Sequence, residues 1–207
     1  MEVEEAKSLS QNQTVKTIAE ADLLRANVYR LLARALSAPA DEQFLGVLRG
    51  MSGDGTDLGT AFDALRGAAS AATVADAQDE YQDLFIGIGR GELVPYGSYY
   101  LTGFLNEKPL ARLRNDMAPL GIARAEDRKE PEDHAGALCE MMAGLIDGSF
   151  AGPASLATQK DFFTKHLGSW MPHFFRDLEK AKNAKLLKPI GSIGRIFMEI
   201  EDAAFEM

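Results

Sequence analysis

Apolar residues recur at helical spacing along most of this chain, and strand-type alternation does not persist over any useful length. Over residues 18–37, Leu24, Val28, Leu31, Leu32, Ala35 and Leu36 share one helical face, and Pro39 stops the run. Asp41 reads as the N-cap of a short helix through Phe44, Leu45 and Leu48 to Met51. After the loop Ser52-Gly53-Asp54-Gly55, residues 57–72 predict an Ala-rich helix with Leu58, Ala61, Phe62 and Leu65 inward. Residues 75–86 predict another, burying Ala77, Tyr81, Leu84 and Phe85.

The main break is 87–97, Gly-Ile-Gly-Arg-Gly-Glu-Leu-Val-Pro-Tyr-Gly. Helical pattern returns over 98–106 and again over 109–120, where Gly121 ends it and 122–129 form a charged connector. Pro131, with acidic neighbours that suit a first turn, predicts the start of a helix whose stripe is Ala135, Leu138, Met142 and Leu145. Residues 153–167, 169–183 and 187–205 complete the set. The pattern predicts an all-α, single-domain bundle of roughly ten helices over 16–207, with 1–15 a disordered tip. There is no internal repeat and no heptad run long enough for a coiled coil.

Charge narrows the function classes. A net charge of −9 argues against nucleic-acid binding, which needs a basic face, and suits a basic partner segment. The single cysteine, Cys139, allows no intrachain disulfide and points to a reducing compartment. The polar, acidic stretch 1–13 does not read as a secretory signal, and no apolar run is long enough to span a bilayer. A cytoplasmic protein without stable membrane insertion is expected.

Catalytic and metal motifs are weak. The three histidines, His134, His166 and His173, lack the Glu-x-x-His spacing of a di-iron bundle, since Pro131, Phe163 and Trp170 precede them by three. One cysteine cannot build a structural zinc site, so no metal is expected. Gly87-x-Gly89-x-Gly91 resembles part of a phosphate loop, but a helical segment precedes it and no Gly-Lys-Ser/Thr follows. Cys139 falls beside the apolar stripe and reads as a buried, inert thiol. Asp133 and His134 form an adjacent acid/base pair with no candidate nucleophile or oxyanion donor, so no enzyme, catalytic residue or cofactor is expected.

A binding surface remains. Asp133, Ala137, Glu140 and Gly144 share one side of their helix, with His134 and Met141 adjacent. The small Ala137 and Gly144 would let another chain approach, and Met141, Met142 and Met171 are adaptable contacts. An acidic and apolar groove of this kind suits a basic, partly apolar peptide, although methionines at helical spacing are more often core than groove.

Three blocks carry a resemblance over about residues 23–197. They are Tyr81-Gln82-Asp83-Leu84-Phe85 with Val94-Pro95-Tyr96-Gly97-Ser98-Tyr99-Tyr100, then Glu130-Pro131-Glu132-Asp133-His134 with Glu140-Met141-Met142, then Phe162-Phe163-x-x-His166-Leu167-x-x-Trp170-x-Pro172-x-Phe174. In order and spacing they resemble the TorD/DmsD/NarJ family of molybdoenzyme maturation chaperones. The resemblance implies a TorD-like, cytoplasmic, all-helical protein. It implies binding to the N-terminal twin-arginine signal, or another segment, of a molybdopterin-dependent oxidoreductase subunit, held until cofactor insertion.

It further implies that Asp133 and His134 sit at a peptide surface with Tyr96, Ser98 and Tyr100 on the adjacent loop, and the candidate peptide site joins these to Glu132 and to Ala137, Glu140 and Met141 of the helix-face reading. In that scheme Asp133 pairs with a signal guanidinium, and His134 orients the carboxylate or contacts the peptide backbone. One departure stands out: the family's usual Pro-Tyr-Glu-Ser-x-Tyr is Pro95-Tyr96-Gly97-Ser98-Tyr99-Tyr100 here. Two other readings are a nucleotide (GTP)-binding protein with slow hydrolysis and an assembly factor for a non-exported molybdoenzyme. A monomer, or a dimer swapped across loop 87–97, is expected.

Overall fold

The computed structural model describes residues 18–124 and 130–207. The expected disordered tip 1–15 lies outside the described residues, as does most of the charged connector. Among the described residues ten α-helices follow one another: α1 Glu20–Ser37, α2 Glu42–Arg49, α3 Asp57–Ala71, α4 Val74–Tyr81, α5 Gly97–Thr102, α6 Lys108–Met117, α7 Ala135–Asp147, α8 Leu156–Phe163, α9 Met171–Lys180 and α10 Leu187–Glu206. The all-α prediction is met, and the one bridge between extended residues pairs Tyr96 with His134.

Side-chain caps mark the starts of α2, α3, α4, α7 and α8. Asp41 accepts the Phe44 N–H at 2.8 Å, as the pattern predicted, and Thr73 and Asp76 form a reciprocal capping box at α4. Two helices continue as π-helical turns, Gln82–Ile86 after α4 and Thr164–Gly168 after α8. The loop 87–97 is tightly folded back on the first of these: Glu92 N–H donates to Asp83 C=O (3.1 Å) and Leu93 N–H to Leu84 C=O (2.8 Å).

The core forms where α7 lies along α1 and where α10 lies along α9 and α3. Both pairs need small residues at the contact. A Cβ on Gly194 would stand 2.3 Å from the Phe175 ring, so only glycine lets α10 approach α9 this closely. Trp170, Phe162, Phe163, Phe174 and Phe175 are buried together beneath them.

Buried carboxylates fasten the ends of the bundle. Glu80 of α4 accepts the N–H groups of Lys185, Leu186 and Leu187 at 2.8, 2.9 and 2.8 Å, closing the start of α10. Glu201 of α10 takes a bidentate bond from Arg25 of α1 (2.7 and 2.8 Å) and the Tyr29 hydroxyl at 3.1 Å. Burial, followed by the Glu201 charge, pushes the Tyr29 phenol well above its ordinary pKa.

The structure corrects the reading of Pro131. Helix α7 begins at Ala135, and 131–133 form a turn in which His134 N–H donates to Pro131 C=O at 3.2 Å. The acidic residues serve tertiary partners instead of the helix dipole: Glu132 is taken by Arg114, and Asp133 by Ser98. Side-chain partners on other elements outweighed a local helix-start signal worth about 0.3–1 kcal/mol per charge.

Candidate functional site

Loop 95–97 and turn 130–134 cross to make one wall. Gly97 N–H donates to Asp133 C=O at 2.9 Å and Ala135 N–H to Pro95 C=O at 2.8 Å, bringing Tyr96 opposite His134. Their rings meet edge-on with centroids 5.1 Å apart. His134 Nδ1 accepts the Gly136 N–H at 3.1 Å, so the imidazole itself caps α7. Ser98 N–H and hydroxyl both donate to Asp133 Oδ2, the first at 2.7 Å, pinning the loop to the turn.

In front of this wall lies a groove of about 630 Å³. Phe85, Pro95, Met117, Ile122, Met141 and Phe150 supply apolar surface. Glu130, Glu132 and Glu140 supply carboxylates, and Arg34 and Arg124 are the cations among the lining. Both cations are engaged. Arg34 donates to the Ala38 and Pro39 carbonyls and pairs with Asp41, and Arg124 stands 3.6 Å from Glu132. Glu132 is buried, which alone would raise its pKa. The Arg114 hydrogen bonds, a backbone N–H and the Arg114 and Arg124 charges outweigh burial and hold it below the ordinary glutamate value. Glu130 accepts the Tyr96 hydroxyl and, like Glu140, is exposed at the rim. The phenol of Tyr96 is raised by burial and by Glu130, and that of Tyr81 is pushed up to about 12, so both are neutral donors.

Six of the residues singled out from sequence line this groove: Tyr96, Glu132, His134, Ala137, Glu140 and Met141. Three stand behind its wall. Asp133 is 3 % exposed and faces away, Ser98 is fully buried against it, and Tyr100 bonds Asp177 at 3.0 Å and packs on Trp170. Gly144 is not open to a second chain, because Phe150 of this chain occupies the space; a Cβ there would lie 2.3 Å from its ring. Met117, Ile122 and Phe150 carried no signal in sequence, since they reach the groove from other elements.

The remaining chemistry-bearing residues have local tasks. Cys139 is buried, and burial pushes its thiol well above the ordinary value. Among the described residues no group of three or more His, Cys, Asp or Glu side chains is placed to hold a metal. No helix among them is long and apolar enough to cross a membrane.

His166 sits under the wall, with Nε2 2.9 Å from Asp116 Oδ2. Burial lowers its pKa from the ordinary 6.5 despite that carboxylate. The unfolded chain therefore takes up a proton on this residue at higher pH than the folded chain does. Stability should fall as pH drops through 6.5 and level off below the folded value. Urea titrations across that range should show a steeper loss for wild type than for His166→Gln; parallel curves would assign the pH dependence elsewhere.

Residues 53–176, more than half of the chain, match the family described as nitrate reductase delta subunit. The chain belongs to that family, the TorD/DmsD/NarJ group. The chaperone protein TorD of Vibrio cholerae is 32% identical over 102 residues, 46% of this chain and 46% of its own length. The provisionally assigned Tat proofreading chaperone DmsD of Haemophilus influenzae is 32% identical over 108 residues, 51% and 50% of the two chains. The chain thus spans about half the length of the curated relatives it matches. A solved structure from Archaeoglobus fulgidus, provisionally assigned as a redox enzyme maturation protein, has a TM-score of 0.56 at 18% identity. It covers 85% of this chain and 94% of its own, a likeness of fold. The family match takes in the loop, the turn and α7, and leaves out the α1 side of the groove.

Proposed function

We propose that this family member is a cytoplasmic, client-specific chaperone for a molybdopterin-dependent oxidoreductase. It binds the N-terminal twin-arginine signal, or another segment, of the catalytic subunit and holds the apoenzyme until cofactor insertion. The observation that carries this reading is the groove: apolar along its floor, carboxylate-rich at its rim, with its own arginines already engaged. A leader segment offers the complementary pattern, basic residues followed by an apolar stretch. Its arginines would pair with Glu130 and Glu140 through charge-assisted bonds, and its apolar residues would cover Met141, Ile122 and Phe150. Relatives named as chaperones support the same reading.

Asp133 has a different part in this scheme from the one the family pattern implied. Facing away from the groove, it holds the Tyr96–His134 wall in place through Ser98, while the rim glutamates meet the guanidinium groups. Exposed ion pairs are screened by salt, so binding should weaken as ionic strength rises.

Affinity capture from the source cells tests the proposal, with wild type beside Glu140→Lys. Recovery of a molybdopterin oxidoreductase subunit by wild type, reduced in the variant, is the expected result. Absence of any such subunit from the wild-type capture would overturn the chaperone reading.

A further inference from the structure

The groove does not end at Phe150. A second hollow of about 370 Å³ continues it, and Arg34, Ser37, Glu140 and Phe150 line both. Beyond Phe150 the walls are Ala143 and Gly144 of α7, Arg30 and Ala33 of α1, and Ser149. The two helices run antiparallel here: Ser37 stands against Gly136 near one end, and Arg30 pairs with Asp147 at the other. The hollows are therefore successive stretches of one seam between α1 and α7.

Length decides what the seam can hold. Its α7 wall runs from His134 to Gly144, which makes it about 15 Å long at the helical rise of about 1.5 Å per residue. An extended chain advances about 3.3 Å per residue, so about four or five residues fill the seam. Two adjacent arginines alone cover less than half of it. Charge decides which way round the segment lies. Glu130 is exposed at the turn end, and Glu140 is exposed midway. At the far end the sign reverses, because Arg30 is half-exposed while its partner Asp147 is largely buried. A basic side chain is thus drawn to the turn end and the middle, and repelled beyond Phe150. There Ala143 and Gly144 keep the floor small and apolar, and the Phe150 ring, 39% exposed, offers apolar surface.

We propose that the client segment lies extended along this seam in one direction. Its arginines sit between turn 130–134 and Glu140, and the residues that follow them cross Phe150 toward Arg30. This rests on the chaperone reading above, and adds to it the length of segment bound and its polarity. The hollow beyond Phe150 takes the apolar side chains after the arginines, and Arg30 disfavours a further basic residue there.

Site-directed photo-crosslinking tests length and direction together. Benzoylphenylalanine replaces either Ala123, exposed at the turn end beside Arg124, or Ser149, exposed at the far end. Each whole chain is irradiated in the source cells, and crosslinked positions on the recovered oxidoreductase subunit are mapped by mass spectrometry. The label at 123 is expected on or next to the paired arginines, and the label at 149 on the residues that follow them. Ser149→Trp fills the second hollow from an exposed position. It should weaken binding of a synthetic peptide copying the crosslinked segment about tenfold, as a contact away from the centre of an interface would.

Two results would overturn the proposal and leave the chaperone reading standing. One is crosslinking from 123 alone with unchanged affinity in Ser149→Trp, which would confine the segment to the first hollow. The other is crosslinking in the reverse order, which would turn the segment round. Recovery of no oxidoreductase subunit, by wild type or by either labelled chain, would overturn the chaperone reading itself and this proposal with it.

Discussion

An Ala137→Trp variant is expected to lose about a hundredfold or more in affinity for a twin-arginine leader segment, on the scale of a central interface contact, and to melt close to wild type. Ala137 is half-buried and lies on the groove side of α7, with Met141 one turn further along. An indole there enters the groove and displaces the apolar part of the segment. It meets open volume and not packed core, so overpacking strain stays small. Calorimetric titration against the leader peptide of a captured client measures the affinity, and thermal melting checks the fold. Wild-type affinity in this variant would move the binding surface off the groove. Asp133→Ala is the instructive comparison, because it removes the acceptor for two buried Ser98 donors. It should lower stability as well as affinity, and the affinity loss should follow the collapse of the wall.

Glu80→Ala is expected to cost about 3–5 kcal/mol of stability, the scale of leaving buried backbone donors unsatisfied at about 1–3 kcal/mol each. Glu80 Oε1 receives the N–H groups of Lys185 and Leu187, and Oε2 that of Leu186. With the carboxylate gone, three N–H groups at the start of α10 lose their acceptor, two of the bonds being fully buried. Glu80→Gln retains one oxygen and can keep the Oε1 pair, so it should cost clearly less. Urea unfolding of the three proteins orders them, and amide exchange should show α10 opening first in the alanine variant. Equal stability of Ala and Gln would mean that the α10 start is held by other contacts. Client binding should persist in Glu80→Gln, since Glu80 does not line the groove.

Periodicity carried the helices because burial of one face is the dominant local demand, and the stripes of 18–37, 57–72 and 187–205 each became one long helix. It failed at Pro131, where every local signal favoured a helix start. Arg114 and Ser98, distant in sequence, claimed the two carboxylates and left the turn non-helical. The candidate site was legible in part for the same reason. Ala137, Glu140 and Met141 share a helix face, which spacing reveals. Tyr96 reaches them only through the bridge to His134, which the quoted motif blocks implied and no periodicity could show. Asp133 was the residue most strongly marked by chemistry, and the fold turned it to the other side of the wall.

The sequence by itself determined the all-α class, the order of the helices, the cap at Asp41 and the acidic net charge. These follow from short-range preferences and from composition, which need no knowledge of neighbours in space. Tertiary structure alone decided which carboxylates are neutralised and which face open volume. Those outcomes depend on pairings such as Arg114–Glu132, Ser98–Asp133 and Glu80 with the α10 start. A buried polar group takes whichever partner the packed core brings within about 3 Å, and sequence distance does not enter that choice.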